Sequence, residues 1–414
     1  MVRRAAFYDL KPLIEEYAPH IKAYLEANPA YEALVTNDDG SIYGLLTEDV
    51  QKSSFIFYRA DHFEKAGVDP AGIKTVDDFT EALRKLKEYY KDVDNYYPLQ
   101  GREAALIFQS WFNCSNNISS EESNGFYYNY IDSGYDIHAD GAYKMVETMK
   151  TWYDEGLINP EWVAGAFSEG DWESAMWEGR GSVCFDFYTR PAAFNLEGKK
   201  YDPDYNMAIL DFLVDENGNN LKPQTAPKYN QRRATVINID ADEETAKDII
   251  QFIDYFYSEE GQTLANWGVE GVSYEETDDG KQYLVSYDEE LAKPDGEMEW
   301  SFLSDRFTVC KPIDTTAFFS FNSEIVKDAA LHLFDDDHLQ YGINIIYTDA
   351  ESSELATITA SLKESCDAGL VAFIRGTNEL NEESWQAFLD EMDAAGYTRM
   401  EELQLEAYNN TYSE

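Results

Sequence analysis

Helical and extended segments alternate along most of this chain, and neither a fixed-period repeat nor a low-complexity linker interrupts them. Such alternation points to layered sheets covered by helices, the α/β class. Residues 11–27 (KPLIEEYAPHIKAYLEA) carry apolar side chains at helical spacings, are interrupted at Pro19 and stop at Asn28-Pro29. The turn Asp38-Asp39-Gly40 leads through Ile42-Tyr43-Gly44-Leu45 to an apolar strand over 55–58. Thr75, followed by Asp77 and Asp78, predicts a capped helix with Phe79, Leu83, Leu86, Tyr89 and Tyr90 on its apolar face. Further helices are predicted over 143–155, 241–265, 351–367 and 382–394, and strands over 181–187 and 234–239. The stretch 271–300 is rich in Tyr, Asp and Gly and predicts turns and hairpins.

At 414 residues the chain exceeds one ordinary hydrophobic core, which predicts two domains. A 44% hydrophobic and 27% charged composition is that of a soluble globular protein. No segment approaches the roughly 18 apolar residues that a spanning helix needs. Two arginines open the chain, but Asp9 and Lys11 break any apolar stretch, so this opening does not read as a signal peptide and carries no lipid-attachment Cys. The 80 acidic against 32 basic residues give a formal charge of −48, which repels nucleic acid and anionic lipid without naming a ligand.

Catalytic and metal motifs are poorly represented. Cys114, Cys184, Cys310 and Cys366 are far apart, form no CxxC, and read as buried small apolar residues. None of the five histidines sits in HExxH, and GxSxG, Walker A and GxGxxG do not occur. Asp92, Asp94 and Asn95 lack the central Gly and distal Glu of an EF-hand loop, so no metal is expected there, and no cofactor elsewhere. Carboxylate pairs suited to glycoside hydrolysis must arise by chance among so many acids.

Four stretches, in serial order, resemble the family 1 extracellular solute-binding proteins, the maltose-binding-protein-like sugar carriers of ABC transporters. They are DLKPLIEEYAPHIKAYLEANP (9–29) with DDGSIYGL (38–45), FIFYRADHFEKAGVD with KTVDDFTEALRKLK, MKTWYDEGLINPEW with FSEGDWESAMWEGRGSVCFDF, and RRATVINIDADEETAKDIIQFIDYFYSEEGQTLANWGVEG. The resemblance implies a periplasmic-binding-protein-like α/β fold, with two lobes of layered sheets joined by a multi-strand hinge. Lobe one is expected over 1–54 and 236–300, and lobe two over 55–235 and 301–414. Because the match starts almost at Met1, the first lobe is expected to be incomplete, with its first strands missing.

The implied function is a non-enzymatic carrier that holds a carbohydrate, neutral or of uronate type, in an interlobe cleft and delivers it to a permease. The implied setting is extracellular, as a monomeric cell-surface lipoprotein. A carbohydrate-active enzyme with an acidic aromatic cleft, and a truncated relative that binds nothing, are the alternatives. Sugars present apolar faces and polar edges, so aromatic rings beside Arg, Asp or Asn are the expected contacts. The resemblance places Asp186, Tyr188 and Arg190, just beyond GSVCF, on the cleft wall; a helix cap for Asp186 and a surface ion pair for Arg190 are the plainer roles. Arg102 and Trp111 follow YYPLQ, as a polar contact and a stacking ring. Trp172 is expected to approach the rim, with Trp177 in the core. Of Arg232 and Arg233 before ATVINI, at most one should reach a ligand, because adjacent strand residues point oppositely. Trp267 is a further candidate, equally suited to packing within a lobe.

Overall fold

The computed structural model describes residues 6–37, 39–48, 54–101, 108, 111–114, 136–163, 169–187, 190–218, 221, 224–225, 228–293, 310–327, 340–341 and 345–412. Two compact units divide the chain: Met1–Gln51 with Pro227–Lys327, and Lys52–Ala226 with Asp328–Glu414.

In the first unit, the N-terminal helical pattern resolves into the helices Leu10–Tyr17, Pro19–Ala27 and Pro29–Val35. The two prolines open new helices at the first position, where the missing N–H is harmless and the fixed φ is already helical. Leu10, Ile14, Ile21, Leu25 and Tyr31 bury one face against Ala246, Ile250 and Ile253 of the helix Glu243–Tyr255. The single helix predicted over 241–265 is broken. Ser258 caps a second helix, Glu259–Asn266, by accepting from the Gly261 N–H at 3.1 Å. At Gly261 an added Cβ would lie 1.8 Å from the Tyr255 carbonyl oxygen, so the break requires glycine there.

The strand predicted over 234–239 is displaced. Leu45–Glu48 pairs antiparallel with Tyr229–Thr235, while 237–239 is held by the N-terminal residues through Tyr8 N to Ile237 O (2.9 Å) and Ile239 N to Ala6 O (3.0 Å). The alternating pattern in ATVINI thus marks extended chain shared between two partners rather than one ladder. A hairpin, Tyr274–Thr277 with Gly280–Tyr283, occupies the turn-rich stretch. Residues 310–327, assigned by sequence to the second lobe, pack in this unit: Cys310 Sγ donates to the Leu46 carbonyl at 3.0 Å and lies 2.8 Å from the Tyr257 hydroxyl.

The second unit is built on a four-stranded sheet in the order Leu99–Gly101, Val183–Phe187, Ser54–Arg59, Met207–Ile209, the first pair parallel and the others antiparallel. One sheet face, with Ile56, Leu99, Val183 and Phe185, packs into a large core shared with the helices Val76–Tyr89 and Asp140–Asp154. Thr75 and Asp78 form a reciprocal capping box on the first of these. Leu362, Cys366 and Leu370 of the long helix Asp349–Ile374, and residues of Glu382–Ala394 and Tyr397–Tyr412, complete that core. The first C-terminal helix is longer than predicted and the third was not predicted. All four cysteines are buried. Among the described residues no helix is long and apolar enough to cross a membrane.

Candidate functional site

Alternation along Val183–Phe187 sends Val183 and Phe185 into the core and leaves Cys184 and Asp186 for the opposite sheet face. On the neighbouring strand their register partners are Phe57 and Phe55. This second face meets the helices Glu169–Trp177 and Arg190–Gly198. Burial, reinforced by the Asp186 charge, holds the Cys184 thiol well above its ordinary pKa, so it stays protonated and inert.

Asp186 has no exposed side-chain surface, and the charge that answers it comes from the next helix. Arg190, the first residue of that helix, donates from Nε to Asp186 Oδ2 at 2.9 Å. Its Nη2 pairs with Glu173, on the helix Glu169–Trp177. The same guanidinium lies 5.6 Å over the ring of Phe194. Trp172 and Trp177 converge on Phe194 too, at centroid distances of 5.4 and 6.1 Å. The indole N–H groups of both tryptophans are buried without a hydrogen-bond partner. A carboxylate pair, a guanidinium and three aromatic rings are therefore gathered at one end of one strand.

Several sequence expectations take a different form. Arg190 is half-buried and pairs with Asp186 itself and with Glu173, not with a surface acid alone. Trp172, expected near the rim, is only 1% exposed, because 172, 175 and 176 form the buried stripe of its helix; Trp177, expected in the core, is the half-exposed one. Trp111, expected as a stacking ring, lies in the apolar core, edge-on to Phe79 at 5.3 Å and 4.8 Å from Phe108. Trp267 packs inside the first unit, stacked on Tyr283 at 4.8 Å and donating its indole N–H to Asp314 at 2.7 Å. Arg102 and Tyr188 lie outside the described residues. Arg232 and Arg233 fall within Tyr229–Thr235, their side chains outside the described residues, where the register shifts opposite Leu46 and Thr47 and strict alternation is lost. Glu173 and Phe194 were not picked out from the sequence; the nearest signal was the WES tripeptide beside Trp172.

A second polar cluster lies at the opposite end of the same face. Arg59, 1% exposed, clasps Asp61 with Nε and Nη2 at 2.8 and 2.7 Å and sits 3.8 Å over the Tyr205 ring. Burial pushes the Asp61 carboxyl up, but the hydrogen bonds and charge of Arg59 outweigh it and hold the group below its ordinary value. His62 Nδ1 is 2.7 Å from Ser182 Oγ, which also meets the Tyr96 hydroxyl at 2.5 Å. Burial, with the Arg59 charge adding to it, pushes His62 down to about 3, so it is neutral. Arg59 with Asp61, and His62 with Ser182 and Tyr96, form two buried hydrogen-bonded sets side by side, which fasten the strand to the following helix. Among the described residues no group of His, Cys, Asp and Glu is arranged to hold a metal ion.

Residues 9–263 match the family model of the bacterial extracellular solute-binding proteins. The chain belongs to this family. Among solved structures, this solute-binding protein is similar to an alginate-binding protein solved without calcium ion, at 19% identity and a TM-score of 0.73, over 98% of this chain and 82% of that one. It is also similar to the substrate-binding protein FusA of an S. pneumoniae ABC transporter, solved with kestose, at 14% identity and a TM-score of 0.69, over 99% and 84%. A third similar structure is a human-milk-oligosaccharide (HMO) binding solute-binding protein of Bifidobacterium longum infantis, at 14% identity and a TM-score of 0.67, over 99% and 84%. These matches establish the periplasmic-binding-protein-like α/β fold. No curated protein matches in sequence.

Proposed function

We propose that this solute-binding protein takes up a carbohydrate outside the cell and delivers it to the permease of an ABC importer, without chemically altering it. The observation that carries the proposal is the grouping of Asp186, Arg190 and Glu173 with Trp172, Trp177 and Phe194. Sugar recognition needs flat apolar surface beside groups that donate and accept hydrogen bonds; the half-buried Arg190, Glu173 and Trp177 supply both kinds, held in place by the buried Asp186, Trp172 and Phe194. Family membership and the sugars named for the similar structures support the same ligand class. A cell-surface lipoprotein anchor fits a carrier of this kind and forms part of the proposal.

Calorimetric titration with oligosaccharides, together with an assay for newly released reducing ends, tests the reading. Saturable binding without turnover is expected. Release of reducing ends would make the protein a carbohydrate-active enzyme instead. If no sugar in the panel binds, the proposal fails. Delivery is tested separately: sugar-loaded protein should stimulate ATP hydrolysis by the reconstituted importer, and sugar alone should not.

A further inference from the structure

We propose that the protein docks on the permease of its importer through the turn 268–273 of the first unit, an apolar knob set among acidic side chains. The inference rests on the delivery reading above and names the surface that would perform it. Of the twelve large hydrophobic side chains that stand exposed among the described residues, four lie between positions 264 and 284: Leu264, Val269, Val272 and Leu284, each between 38 and 54% exposed. Single exposed hydrophobics are ordinary, whereas several at one place mark a contact surface. The backbone brings these four together. The Gly268 N–H donates to the Leu264 carbonyl at 3.1 Å as the helix Glu259–Asn266 ends, Val269 and Val272 stand on the turn that follows, and the Leu284 N–H donates to the Ser273 carbonyl at 2.8 Å.

The turn is held firmly in this form. Ser273, with no exposed surface, donates its hydroxyl to the Trp267 carbonyl at 2.8 Å and accepts the Val269 N–H at 2.7 Å. Gly268 and Gly271 take positive φ values of +86° and +75°, which reverse the chain at little steric cost. Neither valine belongs to the small core that Trp267, Tyr274 and Ala317 form. Their branched side chains have little rotamer freedom, so a partner that covers them has little left to order.

Charge selects the occupant. Residues 259–290 carry ten acidic side chains against one basic, Lys281, which pairs with Glu276 at 3.4 Å. Glu270 lies in the turn, Glu275 and Glu276 lie on the hairpin strand that leaves it, and all three are exposed. A second copy would bring the same acids to the contact and an anionic lipid surface carries the same sign, so both are repelled. The face instead fits a protein surface that is apolar at its centre and basic around it. Opposite charge speeds the encounter and a small apolar centre keeps the complex short-lived, which suits a carrier that must leave once its sugar is delivered.

The test measures binding of the whole chain, loaded with the tightest-binding sugar of the calorimetric panel, to the importer reconstituted in nanodiscs of uncharged phosphatidylcholine. The double variant Val269→Ser, Val272→Ser should bind the importer at least about tenfold more weakly, with sugar affinity and melting temperature at wild-type values. Leu284→Ser alone should weaken binding in the same direction, so a folding defect in the valine variant would not decide the matter. Glu270→Gln with Glu275→Gln should slow association and flatten its dependence on salt. Importer affinity unchanged in all of these variants overturns the docking surface and leaves delivery standing. A wild-type chain that neither binds the importer nor stimulates its ATP hydrolysis overturns the inference together with the delivery reading. A concentration-dependent dimer in sedimentation that the valine variant abolishes would assign the face to self-association instead.

Discussion

The carboxylate of Asp254 accepts the backbone N–H of Ile21 at 2.8 Å across 233 positions of sequence. It also accepts the His20 backbone N–H at 2.9 Å and lies 2.7 Å from His20 Nδ1. The helix Pro19–Ala27 begins at Ala18, which has no side chain able to cap it, so a distant buried acid satisfies donors that the local sequence leaves open.

Asp254→Ala should therefore destabilise the protein by about 1–2 kcal/mol, since two N–H groups at a helix start lose their acceptor. Asp254→Asn retains a carbonyl oxygen and should cost less. Denaturant titration of the two variants beside the wild type checks the order; equal stability of all three would remove Asp254 from this role.

Trp111 fills core space between Phe79 and Phe108, so its replacement should act on folding and not on recognition. Trp111→Ala should lower stability by about 3–5 kcal/mol, the usual cost of a truncated buried aromatic. Sugar affinity of the folded fraction should not move. A variant of wild-type stability with weakened binding would restore the stacking role expected from sequence.

Trp177 presents the opposite case, half-exposed but with an orphaned N–H. Trp177→Phe keeps a ring against Phe194 and deletes the donor. Stability should change by less than about 1 kcal/mol, because no hydrogen bond within the protein is lost. Sugar affinity should weaken by about 1 kcal/mol, because the smaller ring presents less apolar surface to the sugar. The two quantities come from thermal melting and calorimetry on the same sample.

What the sequence reveals of this fold depends on how local the physical cause is. The Thr75 cap is readable because its partner Asp78 lies within one turn. The break at Ser258 was also written locally, as a serine followed by two acids, but continuous apolar periodicity masked it. The contact of Cys310 with Tyr257 and the Leu46 carbonyl joins three distant segments, and no local pattern announces it. The site follows the same rule. Asp186 and Arg190 flank one strand end and were singled out together, while Glu173, which closes the guanidinium edge, comes from another helix. Trp172 and Trp177 exchange expected roles because helix rotation depends on which neighbour buries it, and spacing alone does not reveal that.

His138 is 3.4 Å from Asp136 and 3.3 Å from Asp393, and the hydrogen bond to Asp136, opposed by burial and aided by both acidic charges, raises it from 6.5 to about 9. Glu401, with one buried carboxylate oxygen lacking a hydrogen-bond partner, is raised from 4.5 to about 7 by burial and by the Asp136 and Asp393 charges, against His138 and the Tyr397 hydroxyl. In both groups the folded protein holds the proton more tightly than the unfolded chain, so both contributions are full at low pH and fade as pH rises. The Glu401 contribution is present below 4.5 and lost as pH climbs through about 7; that of His138 is present below 6.5 and lost through about 9. Glu401→Gln carries no titrating group there, so the wild type should lose stability relative to it between about pH 4.5 and 7. His138→Gln should flatten the later fall, between about pH 6.5 and 9. Thermal melts of the three proteins across pH 4 to 10 measure both differences. Parallel curves for the wild type and Glu401→Gln through the first window would show that Glu401 titrates at its ordinary value in the folded protein.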